Sequence, residues 1–162
     1  VEGTSVRAWK IVERRQADRT LTATWYMTKD SPYMVYGEVP LPNGRRADMM
    51  AIDPKGCLTI VEIKVSRADL MGDCKWVEYL GYCDRFYWAV PARFDLAPFE
   101  EPGFQPQLCG LLVADRYDAA VVREAPLRKL PPARRKAETL RFARRAARRL
   151  VGDLDPGLAG FA

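Results

Sequence analysis

The chain has 162 residues, 48% of them hydrophobic and 29% charged, with a net charge of +5 and no histidine. This size and balance suit one soluble globular domain with a sizeable core, and no run approaches the roughly 18 apolar residues of a membrane span. The missing imidazole excludes Ser-His-Asp hydrolysis, Cys-His proteolysis and histidine-based zinc or nuclease sites, so hydrolytic chemistry would have to use carboxylates, lysine and a metal.

Residues 4–17 read as a helix capped by Thr4 or Ser5, with Val6, Trp9 and Val12 as its apolar stripe and Glu13 as a surface charge. Residues 20–28 are rich in Thr and aromatics, which favours strand over a continuing helix. Lys29-Asp30-Ser31-Pro32 is a turn, and Tyr33 to Leu41 is a strand. Glu38 interrupts that apolar strand. It can join an acidic face as a third metal ligand or sit exposed at a strand end.

Residues 47–52 and 57–65 are apolar runs on either side of Asp53-Pro54-Lys55-Gly56. Pro54 presets a type I turn and Gly56 can take the left-handed position after it, which predicts a hairpin with a bulge at the glycine. In that register Asp53 pairs with Cys57, and Asp48 stands directly opposite Glu62. Opposed residues share a face with Cβ atoms about 4.5–5.5 Å apart. Lys64, two residues beyond Glu62, points the same way. Two carboxylates this close repel, and Mg²⁺ or Mn²⁺ would relieve the conflict. The Lys64 ammonium can orient an attacking water and balance charge. The same three residues also fit a solvated ion-pair ladder that contributes little.

Ser66 with Asp69 resembles a capping box and opens a helix expected to reach about Gly81, with Leu70, Cys74, Val77 and Gly81 inward. Lys75 and Tyr79 then project together from the opposite side, where they can meet a phosphate and a sugar or base, or form a plain surface pair. Asp84 to Pro91 is a strand parallel to the one bearing Glu62, because a helix links them. Residues 92–107 form a Pro-rich loop with no evident site. Leu108 to Glu124 reads as two strands around Asp115–Asp118, a hairpin added at the sheet edge.

Pro131-Pro132 opens a last helix that Gly152 ends. Leu140, Ala143, Ala147 and Leu150 are its packing stripe. Arg134, Arg135, Lys136, Arg141, Arg144, Arg145, Arg148 and Arg149 cover the remainder. Residues 127–162 hold 10 Lys+Arg against 3 Asp+Glu, a balance of +7, whereas residues 1–126 balance at −2. So many cations repel one another, and an anionic backbone such as DNA relieves that; a solvated charged helix is the alternative. Cys57, Cys74, Cys83 and Cys109 form no C-x-x-C pair, and no signal peptide is visible at the start. Free thiols and a cytoplasmic location are the expectation.

An Asp-bearing strand, an E-x-K strand, a helix and a strand, in that order, resemble the core of the PD-(D/E)XK nuclease superfamily. G-R-R-A-D at 44–48, V-E-I-K-V-S-R-A-D at 61–69 and D-C-K-W-V-E-Y-L-G-Y-C-D-R-F-Y-W-A-V at 73–90 are similar to the MmcB family of bacterial DNA-repair endonucleases, as are L-L-V-A-D at 111–115 and the Arg-rich helix. The resemblance spans residues 35–150. It implies an α/β, restriction-endonuclease-like core (αβββαβ) with an added C-terminal hairpin and basic helix, within a single domain over residues 1–162. It implies a Mg²⁺- or Mn²⁺-dependent DNA endonuclease acting in repair. Asp48, Glu62 and the Ile63 carbonyl would be the metal ligands, with Glu38 at a matching acidic position, and Lys64 the catalytic lysine. Arg45, Arg46, Lys75, Tyr79, Arg134, Arg135, Arg141 and Arg145 are then the DNA contacts. Residues 18–34 are longer and more aromatic than the superfamily pattern. DNA and other repair proteins are the implied partners, with no membrane. A homodimer is one arrangement the resemblance admits, although the sequence marks no dimer surface. The superfamily also contains members that bind without cutting, so an inactive DNA-binding or scaffold module is the alternative.

Overall fold

The computed structural model describes residues 10–15, 21–26, 34–73, 75–114 and 119–155. The expected cap at Thr4 or Ser5, with Val6 and Trp9, the turn at 29–32, Cys74 and the hairpin tip at 115–118 lie outside them. The chain divides into two compact units, residues 1–129 and 130–162.

The first unit opens with a two-stranded antiparallel ribbon, β1 (Lys10–Arg15) on β2 (Leu21–Tyr26), with Glu13 opposite Ala23. A helix over residues 4–17 is therefore overturned at 10–15. Ile11 and Val12 are β-branched, and a Thr- and aromatic-rich partner lies close in sequence. Strand pairing outweighs a three-residue helical stripe.

Six strands then form the main sheet: β3 (Met34–Pro40), β4 (Arg46–Ile52), β5 (Leu58–Ile63), β6 (Arg85–Pro91), β7 (Gly110–Ala114) and β8 (Ala119–Arg123), adjacent in that order. β3, β4 and β5 are antiparallel neighbours, β5, β6 and β7 are parallel, and β8 returns antiparallel on β7. This mixed α/β sheet agrees with the restriction-endonuclease-like core that the resemblance implies, although a ribbon stands where its first helix was expected.

Both sheet faces are apolar, so the central strands read as nearly continuous hydrophobic runs. One face gathers Met49, Ala51, Val61, Tyr87, Ala89 and Leu112. The other is aromatic. Trp88 lies 5.0–6.0 Å, centroid to centroid, from Phe86, Trp76, Phe99 and Phe104. Phe99 and Phe104 come from two 3-10 turns, Ala97–Glu100 and Pro102–Phe104, within the Pro-rich 92–107 loop.

The crossover from β5 to β6 is broken. α1 (Arg67–Gly72) is six residues long, and a 3-10 helix follows at Trp76–Gly81. Ser66 caps α1 by accepting from the Asp69 N–H (3.1 Å), while Asp69 Oδ2 accepts from the Val65 N–H (3.2 Å). A single helix to Gly81 is thus corrected. The break at Gly72-Asp73 changes the phase, so Trp76 and Tyr79 turn inward and Val77 outward. Three-residue spacing in a 3-10 helix places residues 76 and 79 one above the other.

The second unit holds α2 (Pro132–Leu154), which runs past Gly152. Its expected packing stripe faces outward: Leu140 is 56% and Leu150 61% exposed. Glu138 and Phe142 are the buried positions. The Glu138 carboxylate joins Arg134 at 3.6 Å and also joins Arg141, which neutralises a charge on the buried side.

Candidate metal centre

The site begins with the turn between β4 and β5. Gly56 has φ +76°, the Asp53 N–H donates to the Cys57 carbonyl (3.1 Å), and Asp53 Oδ1 accepts from the Lys55 and Cys57 N–H groups (2.8 Å each). The ladder proceeds through Ile52↔Leu58 to Met49↔Val61. The strand pairing stops there, and beyond it Asp48 and the Glu62–Ile63 end of β5 are joined through side-chain hydrogen bonds.

There the side chains take over from the ladder. The Asp48 N–H donates to Glu62 Oε1 (3.0 Å), and the Ile63 N–H donates to Asp48 Oδ2 (2.8 Å). Each carboxylate is anchored through one oxygen by the opposing strand, and the second oxygen of each is left for other partners. Glu62 is 3% exposed, whereas Asp48 is only half-buried, so the pair opens to solvent on the Asp48 side.

Burial and the neighbouring Asp48 raise the Glu62 carboxyl from 4.5 to about 8. Burial also raises Asp48, although the Ile63 N–H and Lys64 oppose it. Lys64 is 6% exposed, and its backbone N–H continues the parallel ladder to the Ala89 carbonyl (2.9 Å). The Lys64 Nζ lies 2.8 Å from Asp73 Oδ2, 3.9 Å from Glu62 Oε2, 3.9 Å from Asp69 Oδ1 and 5.7 Å from the Trp88 ring centroid. Burial favours the neutral amine, but the acidic partners, Asp73 foremost, outweigh it and raise Lys64 above its ordinary value. It is an ammonium: a donor and a counter-charge, not a base.

The remaining expected residues divide. Glu38 takes a left-handed conformation (φ +53°) and pairs with Arg46 at 3.3 Å at the exposed rim. Among the described residues no three His, Cys, Asp or Glu side chains converge as a metal-binding group, so Glu38 does not complete a triad with Asp48 and Glu62. Ile63 is located through its N–H. Arg45 is held bidentately by Glu78 (2.9 and 3.0 Å). Tyr79 does not project beside Lys75. It is 7% exposed, stacks on Phe86, and its hydroxyl donates to the Arg46 carbonyl (3.2 Å), while Lys75 is exposed. On α2, Arg134 and Arg141 pair with Glu138, and Arg135 and Arg145 are half-buried. Sequence reasoning missed Asp73 as a partner of Lys64. The available signal was the acidic pair Asp69 and Asp73, four residues apart directly after the E-x-K strand.

A family model described as DNA repair protein MmcB-like matches residues 9–156. The chain belongs to the MmcB-like family of DNA repair proteins. A solved structure similar to the chain is that of a protein of unknown function, SPO1766 from Silicibacter pomeroyi. It is 45% identical with a TM-score of 0.69, over 78% of this chain and 82% of that one. No curated protein matches the chain. Family membership carries a role in DNA repair. Among the described residues, no helix is long and apolar enough to cross a membrane.

Proposed function

We propose that this MmcB-like protein is a DNA endonuclease that hydrolyses phosphodiester bonds with a bound Mg²⁺ or Mn²⁺. The carrying observation is the Asp48–Glu62 pair, backbone-anchored on one level of the sheet with Lys64 beside it. The donor set suits a hard cation: each carboxylate keeps one oxygen outside its anchoring bond, and burial makes the pair's joint ionisation costly without a counter-charge. With Asp48 and Glu62 as the acidic groups among the described residues, water and a DNA phosphate would complete the shell.

Asp48 and Glu62 would hold the ion, which would act as a Lewis acid on the phosphate oxygens. The Lys64 ammonium donates a hydrogen bond to the attacking water and offsets charge growing on the phosphate oxygens. As water adds to phosphorus the ester P–O bond breaks, and a proton of that water ends on the departing oxygen, leaving a phosphate monoester and a hydroxyl. Arg46 at the rim of β4 and the cationic α2 supply attraction for the DNA backbone, which is independent of sequence.

A rival reading is a repair module that binds DNA without cutting. It draws on the absence, among the described residues, of a third acidic ligand beside Asp48 and Glu62, and on the tight hold of Asp73 on Lys64. Cleavage of duplex, nicked, branched and single-stranded DNA with Mn²⁺, beside calorimetric Mn²⁺ titration, separates the two. Endonuclease action requires cleavage and Mn²⁺ binding that both vanish in Asp48→Ala. A folded protein inert on every substrate, with Asp48→Ala indistinguishable from it, refutes the proposal.

A further inference from the structure

Lys64 has three carboxylates within 4 Å, yet only Asp73 lies at hydrogen-bond distance: 2.8 Å, against 3.9 Å for both Glu62 and Asp69. We propose that Asp73 is a positioning residue that draws the Lys64 ammonium away from Glu62, keeping Glu62 Oε2 available to a divalent cation. This rests on the cation-dependent reading above and extends it to a residue outside the expected set.

The break in the crossover provides the geometry. α1 stops after Gly72, and the Asp73 N–H closes it by donating to the Leu70 carbonyl (3.2 Å). A helix continuing to Gly81 would carry residue 73 around with it. Instead Asp73 adopts φ −91°, ψ 72°, and its two oxygens divide their work. Oδ1 accepts from the Lys75 N–H (3.3 Å) and Oδ2 receives the Lys64 Nζ. The first bond orients the carboxylate; the second holds the lysine. Asp73 is itself half-buried, which strengthens the pair relative to one in open solvent. The same ammonium lies over the Trp88 ring, 5.7 Å from its centroid.

Glu62 has one oxygen on the Asp48 N–H and the other facing Lys64 without contact. Were the ammonium to close onto Oε2, it would neutralise the atom that a cation needs. Asp73 prevents this by being the nearer acid. Its influence on cation binding therefore runs through Lys64, not through direct coordination.

The test is Mn²⁺ binding by calorimetry on the full chain, for wild type, Asp73→Ala, Lys64→Met, the double variant and Asp73→Glu, with circular dichroism confirming each fold. Asp73→Ala is expected to weaken Mn²⁺ binding roughly tenfold, the effect of an ammonium closing from 3.9 Å to contact at an effective dielectric near 20. In the Lys64→Met background the same change is expected to have little effect, and Asp73→Glu to recover most of the affinity. Asp73→Asn, which keeps the shape without the charge, replaces Asp73→Ala if the latter does not fold. An equal loss with and without Lys64, or no loss in the single variant, overturns the proposal while leaving the cation site standing. A wild-type protein that binds no Mn²⁺ sinks the cation site itself, and this inference with it.

Discussion

Glu62→Gln is the sharpest perturbation of the acidic pair, because it fixes the side chain in an uncharged form of nearly the same size. The Gln carbonyl oxygen can still accept from the Asp48 N–H in place of Glu62 Oε1. In the native protein burial, and then Asp48, lift the Glu62 carboxyl from 4.5 to about 8. A folded-state value above that of the unfolded chain means the folded state binds the proton more tightly. Its stabilising contribution is complete below pH 4.5 and is lost as pH climbs towards about 8. Linkage puts the loss by pH 7 at about 3 kcal/mol, a large share of an ordinary domain's stability. Urea unfolding followed by tryptophan fluorescence, in chelator between pH 5 and 8.5, reads it directly. Wild type is expected to weaken steadily across that range. Glu62→Gln should be much flatter and more stable than wild type at pH 7, by about 3 kcal/mol. Saturating Mn²⁺ should restore wild type at the alkaline end and leave the variant unchanged. A wild-type profile without slope, or a variant with the same slope, refutes the argument that these carboxylates are held in conflict.

Gly110→Ala should destabilise by about 2 kcal/mol or more in the same assay, because an added Cβ would stand 2.3 Å from the Tyr87 ring and 2.7 Å from the Ala125 nitrogen. Glu38→Gly should raise stability by about 0.5–1 kcal/mol, relieving a left-handed backbone while losing only an exposed ion pair. It should also leave Mn²⁺ affinity unchanged, and a marked loss would return Glu38 to the metal shell. Replacing Arg144 and Arg148 by Gln should reduce the salt dependence of DNA binding by about one to two units of slope, measured by fluorescence anisotropy against salt concentration. An unaltered slope would remove the exposed face of α2 from the DNA contacts.

The hairpin was legible because its information is local. Proline at the second turn position and glycine at the left-handed one set the register, and that register carries Asp48 towards Glu62, where side-chain hydrogen bonds join the two strands. The apolar run of β6 and its parallel pairing with β5 were legible for a related reason: a crossover of that length has few ways to return to a sheet. At 92–107 the pattern carried no period. Phe99 and Phe104 belong to the core only because Trp88 lies there to receive them.

Three outcomes needed the tertiary structure, because in each the deciding partner is distant or the competing periods are close. Residues 10–15 pair with 21–26 as strand, and a short amphipathic stripe cannot foresee its competitor. The crossover changes from α to 3-10 geometry at Gly72-Asp73, which turns Tyr79 inward onto Phe86 and sends Asp73 back to Lys64. Glu38, left-handed at φ +53°, pairs with Arg46 at the exposed strand end, the second of the two places the sequence left open to it. The sequence alone determined which side chains share a level of the sheet, since alternation and turn type are properties of neighbouring residues. Only the folded chain decided which carboxylate the buried lysine chooses, because that choice is a difference of about one ångström between groups on separate elements.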